Sequence, residues 1–372
     1  AAAELDGGAA PPLDLDDMRF AAIDKALNDT VADVQRCWGK AAADDYRVAG
    51  TAATTVTFGA IGAPPAVKTG GTAVHQDADF AACLVAVFSR YAWPPIFEPG
   101  QAIELPLVFA AVDGQSLIHE ADVAPVGLPG GTSVRVLLDA RNSGNGAATM
   151  YLLELPSDVD LPLARAARDE AWYVVGAGLP FGFAYARDLD GGGGVFVAAG
   201  TARGARAVAG PMRIVVVATP GGDEAALRRG EAVWTAVSKR ERDRPPKRAP
   251  LPVIVPMAEA ATFPGAVGEH TILIDETNAK GAAISAGRLV AHAGAEVPLH
   301  RHDGSTELLY VLAGVGTMTV GGVEMPVAAG DAIQIPAGVE HSFRAGADGV
   351  TAAQFYAPGG PEQRFKTAAP KP

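Results

Sequence analysis

Four side chains in the last quarter of the chain are of the types that hold a divalent metal: His300, His302, Glu307 and His341. His300 and His302 are two residues apart, so on a strand they point to the same side. Glu307 follows after a short turn, and His341 belongs to a different strand. Three imidazoles and one carboxylate directed at one point suit a first-row divalent ion, whether Mn, Fe, Ni, Co, Cu or Zn. Four protein ligands leave positions open for water or substrate. The competing reading, that these are ordinary core or surface histidines, does not account for three of the chain's seven histidines falling in one short pattern. His75, His119, His270 and His292 lie outside it and read as structural or exposed, with His292 the one near enough to approach the site.

Glycines and a proline frame the four residues at fixed spacing. The first stretch reads G-x5-H-x-H-x4-E-x6-G from Gly294 to Gly314, and the second G-x5-P-x-G-x2-H from Gly330 through Pro336 and Gly338 to His341. This pair of motifs resembles that of the cupin family, with Ala345 where an asparagine often ends the second. The resemblance implies a small β-barrel with one mononuclear metal ion held by His300, His302, Glu307 and His341. It also implies that Glu307 can leave the metal to take a proton, which makes it the candidate catalytic residue. Strand alternation puts Leu309 and Val311 on the side of Glu307, and Phe343 on the side of His341. These three form an apolar floor and wall. Arg301 and Arg344 alternate to the outer face, so the cavity suits an apolar or aromatic substrate better than a doubly charged one.

The barrel has a relative upstream. At an offset of 136 residues, Asp139/Asp275, Asn142/Asn278, Pro162/Pro298 and Leu163/Leu299 are identical pairs. One deletion later Glu170 pairs with Glu307 and Tyr173 with Tyr310. After another, Gly192/Gly330, Gly200/Gly338 and Pro220/Pro358 are identical. The upstream copy has lost the ligands: Ala164 and Ala166 stand for His300 and His302, Ala198 for Pro336, and Arg203 for His341. Only Glu170 remains, and one carboxylate beside an arginine holds no divalent ion tightly. The competing reading gives Arg203 an anionic ligand in a metal-free cavity. Two copies in tandem resemble a bicupin.

The N-terminal region is built differently. Phe20, Ile23, Leu27, Val31, Val34 and Trp38 recur at helical spacing from Asp16 to about Lys40. A strand-like TTVTF (54–58), a Gly/Pro-rich turn, a helix around 79–91 and a strand-like IELPLVF (103–109) follow. That order, α-β-α-β, predicts a small two-layer α+β domain. The two cysteines, Cys37 and Cys83, are compatible with one disulfide or with two buried thiols. A Cys–His nucleophile with His75 is a weaker possibility. The residues Arg36-Cys37-Trp38, Gly50, Thr55–Phe58, Cys83 and Tyr91-Ala92-Trp93-Pro94-Pro95 resemble the TonB C-terminal-like domains of the AgmX/PglI type. That resemblance implies a Cys37–Cys83 bridge, a periplasmic or cell-envelope location, and a possible envelope protein partner for this domain.

The chain of 372 residues therefore reads as a mostly β protein: a flexible lead-in (1–15), the α+β domain (16–111), a metal-free barrel (112–222), a helix and basic proline-rich linker (223–250), and the metal-binding barrel (251–372). Its 44 glycines and 28 prolines suit short strands joined by turns. Apolar positions over 223–240 predict an amphipathic helix, and KRERDRPPKR (239–248) reads as a solvated linker rather than a phosphate-binding tail. A net charge of −12 argues against nucleic-acid binding, and no apolar run is long enough to span a bilayer. The chain begins AAAELDGGAAPP without a basic n-region, so any signal peptide has been removed or never existed. The function expected is metal-dependent chemistry on a small organic molecule, dioxygenase-like ahead of decarboxylase-like. A non-catalytic envelope protein with a structural metal, binding a ligand or acting as a scaffold, is the alternative.

Overall fold

The computed structural model describes residues 14–45, 48–74, 77–109, 114–183, 185–208 and 210–368. Most of the lead-in, and His75, lie outside them. The chain divides into two compact units, Ala1–Ala42 with Arg47–Ala111 and Ala43–Tyr46 with Val112–Pro372.

In the first unit α1 (Leu15–Asp44), β1 (Gly50–Thr57), β2 (Ala66–Gly70), α2 (Ala78–Arg90) and β3 (Ala102–Phe109) follow one another. The strands form an antiparallel sheet in the order β2-β1-β3. Strand β2 falls where the sequence predicts only a turn. It sits on the sheet edge and is nowhere fully buried, so it carries no apolar alternation to announce it. Asp77 caps α2, its carboxylate accepting from Phe80 N at 2.9 Å. Val34, Cys37, Phe80, Leu84 and Phe88 from the helices pack with Val56, Leu105 and Phe109 from the sheet. Phe20 and Val31, expected on the buried face of α1, are 74% and 54% exposed. Cys37 and Cys83 form a disulfide that ties α1 to α2, with a Cα–Cα distance of 5.7 Å.

The second unit begins with β4 (Leu117–His119), β5 (Val126–Gly127), β6 (Ser133–Leu138), α3 (Ala140–Ser143), β7 (Thr149–Leu155), β8 (Asp160–Arg165) and β9 (Asp169–Val175). It continues through β10 (Leu179–Phe181), β11 (Gly193–Val197), β12 (Ala202–Arg206) and β13 (Met212–Thr219). After these come α4 (Ala225–Arg228), β14 (Thr235–Ala236), α5 (Lys239–Asp243), β15 (Val253–Pro256), β16 (Ala261–Pro264), β17 (Gly268–Ile274) and β18 (Ser285–Ala291). The chain then forms β19 (Glu296–His300), β20 (Thr306–Val320), β21 (Val323–Ala328), β22 (Asp331–Ile335), β23 (His341–Ala357) and α6 (Gln363–Ala368).

A seven-stranded sheet, β15-β11-β9-β13-β7-β6-β5, and a four-stranded sheet, β10-β12-β8-β14, make the first barrel. The eight strands from β16 to β23, with β4 as a ninth, make the second. One short strand is exchanged in each direction: β4 pairs with β22, and β15 with β11. Side chains alternate between two destinations. Leu309 and Val311 of β20 point into their own barrel, while Leu308 and Tyr310 join Leu152, Tyr173 and Leu273 in the core between the barrels.

The repeat is visible in the local geometry. Asn142 Nδ2 donates to Leu137 O at 2.9 Å, and Asn278 Nδ2 donates to Leu273 O at 2.8 Å. Asn142 Oδ1 accepts from Asp139 N at 2.9 Å, and Asn278 Oδ1 from Asp275 N at 3.2 Å. The identical Asp/Asn pairs thus close the same turn twice.

The predicted helix over 223–240 is not formed. Only α4 is helical before Gly230, whose φ of 77° belongs to the left-handed region and ends the run. The chain then extends into β14, which pairs with β8, and Trp234 lays its ring 4.7 Å from the Arg203 guanidinium. The apolar residues of this segment face the first barrel as an extended strap. No helix among the described residues is long and apolar enough to cross a membrane.

Candidate metal centre

His300 closes β19, Glu307 lies at the start of β20, and His341 opens β23. His341 is paired across the sheet with His300. His302 is not on a strand with His300: it lies past the end of β19, in the turn leading to β20. The turn, rather than strand alternation, swings its ring back toward the other two. One ligand atom from each of His300, His302, Glu307 and His341 lies within 4.8 Å of the others.

Hydrogen bonds orient the set. Nδ1–H of His300 donates to Pro298 O at 2.8 Å, and Nδ1–H of His341 donates to Val339 O at 3.0 Å. Each bond selects the tautomer whose Nε2 lone pair is free to bind a metal. Glu307 Oε2 is 3.1 Å from His302 Nε2 and 3.2 Å from His341 Nε2. His341 Nε2 is nonetheless buried without an aligned hydrogen-bond partner. A buried nitrogen aimed at a point shared with two other imidazoles and a carboxylate fits a cation there. Glu307 Oε1 accepts from Gln354 Nε2 at 2.6 Å and from Tyr356 OH at 3.4 Å. Burial alone would push the Glu307 carboxyl up, but the nearby His302 and His341 rings and the hydrogen bond from Gln354 outweigh it and hold it well below the usual carboxylate range. A carboxylate beside three imidazoles is the donor set a first-row divalent ion takes.

The centre opens into a cavity of about 480 Å³. Leu309, Val311 and Phe343 line it, with Leu289, Val297 and Met318. Arg301, expected on the outer face, lines it too, because the chain leaves strand geometry after His300. Arg344 does lie elsewhere, beside His119 in a separate cavity of about 430 Å³. His119 pairs there with Asp331 at 2.7 Å. His292 is exposed, outside the lining of the metal-centre cavity, whereas His270 is buried against it, its ring stacked on Phe365 at 3.3 Å.

Sequence reasoning missed Gln354, Tyr356, Arg364 and Phe365. The first two had a signal, since β23 sets Tyr356 opposite Glu307 and Gln354 opposite Leu309. Arg364 and Phe365 had none. They come from α6, beyond the last barrel strand, and only the tertiary fold returns them to the cavity.

In the first barrel Arg203 stands opposite Ala164, as His341 stands opposite His300. Its guanidinium binds Glu170 through Nε at 3.1 Å and Nη2 at 3.0 Å. Trp172, at the repeat position of Leu309, donates its Nε1–H to Glu170 at 3.0 Å and fills space that the other barrel leaves open.

Residues 287–355 match the cupin domain family. This stretch holds all four candidate ligands of the second barrel. No curated protein matches the chain's sequence. The structure is similar to oxalate decarboxylase from Bacillus subtilis at pH 4.6, with a TM-score of 0.54 and 16% identity over 66% of this chain and 76% of that one. It is likewise similar to the Lactobacillus farciminis oxalate decarboxylase–formate complex, with a TM-score of 0.53 and 16% identity over 66% of this chain and 87% of that one. At this identity the likeness is one of fold, the bicupin arrangement of two barrels in one chain.

Proposed function

We propose that the C-terminal cupin is a mononuclear metal centre at which a small organic molecule is turned over, by dioxygenase-like chemistry ahead of decarboxylation. The observation that supports this most is the convergence of His300, His302, Glu307 and His341 at the base of a cavity large enough for such a molecule. The ion would supply a Lewis acid for an oxygen of the substrate. Leu309, Val311 and Phe343 hold the apolar part of the substrate and keep water away. Glu307 is the proton acceptor, and the hydrogen bonds that Gln354 and Tyr356 give its Oε1 orient the carboxylate for that role. The test is to load the full chain with Mn or Fe and follow oxygen uptake with catechol-like and flavonoid substrates, alongside CO₂ release from oxalate. Oxygen uptake supports the order given, CO₂ release without it reverses that order, and silence in both rejects turnover.

The second reading is a non-catalytic envelope protein that binds a ligand or scaffolds a partner, with the metal structural. The Cys37–Cys83 disulfide favours it, because such bridges persist in oxidising compartments such as the periplasm. On this reading residues 16–111 are a TonB C-terminal-like domain that meets an envelope partner, 112–222 the degenerate metal-free cupin, 223–250 the linker, and 251–372 the metal-binding cupin.

A further inference from the structure

The cavity above the metal centre is apolar except at a few points, and one of these is a cation without a counter-ion. Arg301 is held by Asp303, its Nε 2.8 Å from the carboxylate. Arg364, the other arginine of the lining, makes no ion pair with any carboxylate among the described residues. Its recorded side-chain contacts are His302 Nδ1, 3.5 Å from Nη1 and at the outer limit of a hydrogen bond, and the Phe365 ring, 4.7 Å from the guanidinium carbon. Among the described residues of the second barrel only Arg301 pairs with an acid, and Arg364 differs from the other arginines without one, Arg288 and Arg344, in lining this cavity.

Arg364 is also fixed in place, although it follows the last strand of the barrel. Glu362 accepts from Ser285 Oγ at 2.8 Å, Gln363 Nε2 donates to Asp275 at 3.0 Å, and Lys366 is bonded to the same Asp275. Phe365, next in sequence, stacks on His270. Helix α6 is therefore tethered on both sides of Arg364, and the guanidinium is presented to the cavity by a rigid support. A guanidinium offers paired donors that match a carboxylate.

Taking the C-terminal cavity as a small-molecule site, we infer that Arg364 binds the carboxylate of the ligand, and that the ligand class is a monocarboxylic acid with an apolar body. The apolar walls take the body, and the single unpaired guanidinium takes one negative charge.

The test uses the full chain loaded with Zn(II), with 4-phenylbutanoate and its uncharged amide as probes in calorimetry and ligand-observed NMR. The acid is expected to bind roughly tenfold or more tighter than the amide. Arg364→Gln should erase that difference without changing zinc content, and Arg364→Lys should restore part of it. Equal binding of acid and amide, no binding of either, or a preference that survives in Arg364→Gln overturns the inference. The acid–amide comparison on the unaltered protein holds even if a variant folds poorly. Zinc content is read separately, so loss of the metal centre is distinguishable from loss of carboxylate recognition.

Discussion

Arg203 forks onto Glu170 in the interior of the first barrel, where both side chains are almost completely buried. The same frame in the second barrel sets His341 beside Glu307 at 3.2 Å. One carboxylate thus meets a built-in cation, and its counterpart is left to meet an ion from outside. The chain should therefore hold one tightly bound divalent ion, and His300→Ala with His302→Ala should reduce it to none. Elemental analysis of protein purified without an affinity tag checks this. Two ions per chain would mean that Arg203 does not silence the first copy.

Removing Arg203 should be costly. Arg203→Ala strands Glu170 as a buried charge, with Trp172 Nε1 its remaining hydrogen-bond partner, and a loss of about 3–5 kcal/mol is expected. Pairing the change with Glu170→Gln, and using Met in place of Arg203, should recover most of it. Urea denaturation of the two variants decides, and equal stability of both would refute a charge-pairing role.

The Cys37–Cys83 bridge spans a sequence separation of 46 residues, so it removes much of the freedom of the unfolded first unit. Replacing both cysteines by alanine should cost that unit about 3–4 kcal/mol. Thiol titration of denatured, non-reduced protein from an oxidising compartment should find no free thiol. Two reactive thiols would show that the bridge does not form.

His270 gives the second barrel an acid sensitivity that can be separated from its metal. Burial first, and the charge of Arg364 second, bring its pKa down to about 4. The unfolded chain protonates this ring near pH 6.5, roughly the free value. Between those limits the unfolded state binds more protons, so stability falls as the pH falls from about 6.5 to about 4. The part owed to His270 is on the order of 3 kcal/mol. Urea midpoints of metal-free protein at pH 7 and pH 4.5, compared with those of His270→Gln, check it. An unchanged pH slope in the variant would rule the ring out as the cause.

The cluster of candidate ligands, the repeat and the replacement of those residues in the first copy were all legible in the sequence. Each is a matter of residue type at fixed spacing along strands that neighbour one another. Glycine, aspartate and asparagine at repeated positions report the same turns, and Asn142 and Asn278 make the same bond in both barrels. What spacing could not reveal is where the chain leaves strand geometry. His302 and Arg301 lie past the end of β19, so a period of two misplaced Arg301, while the turn rather than the strand brings His302 to the cluster. The segment 223–240 has apolar spacing that fits a helix, yet Gly230 and the pull of Trp234 onto Arg203 make it a strap. Gln354 showed itself only as a polar residue on a buried strand, with a purpose that appears once Glu307 is beside it. Arg364 lies farthest from prediction. No local pattern marks it, and only the anchoring of α6 by residues about 80 to 90 positions earlier in the chain (Ser285 and Asp275) brings an unpaired guanidinium to the cavity. Local periodicity is set by bonds between near neighbours, whereas the polar furnishing of a cavity is set by contacts that exist only after the barrel has closed.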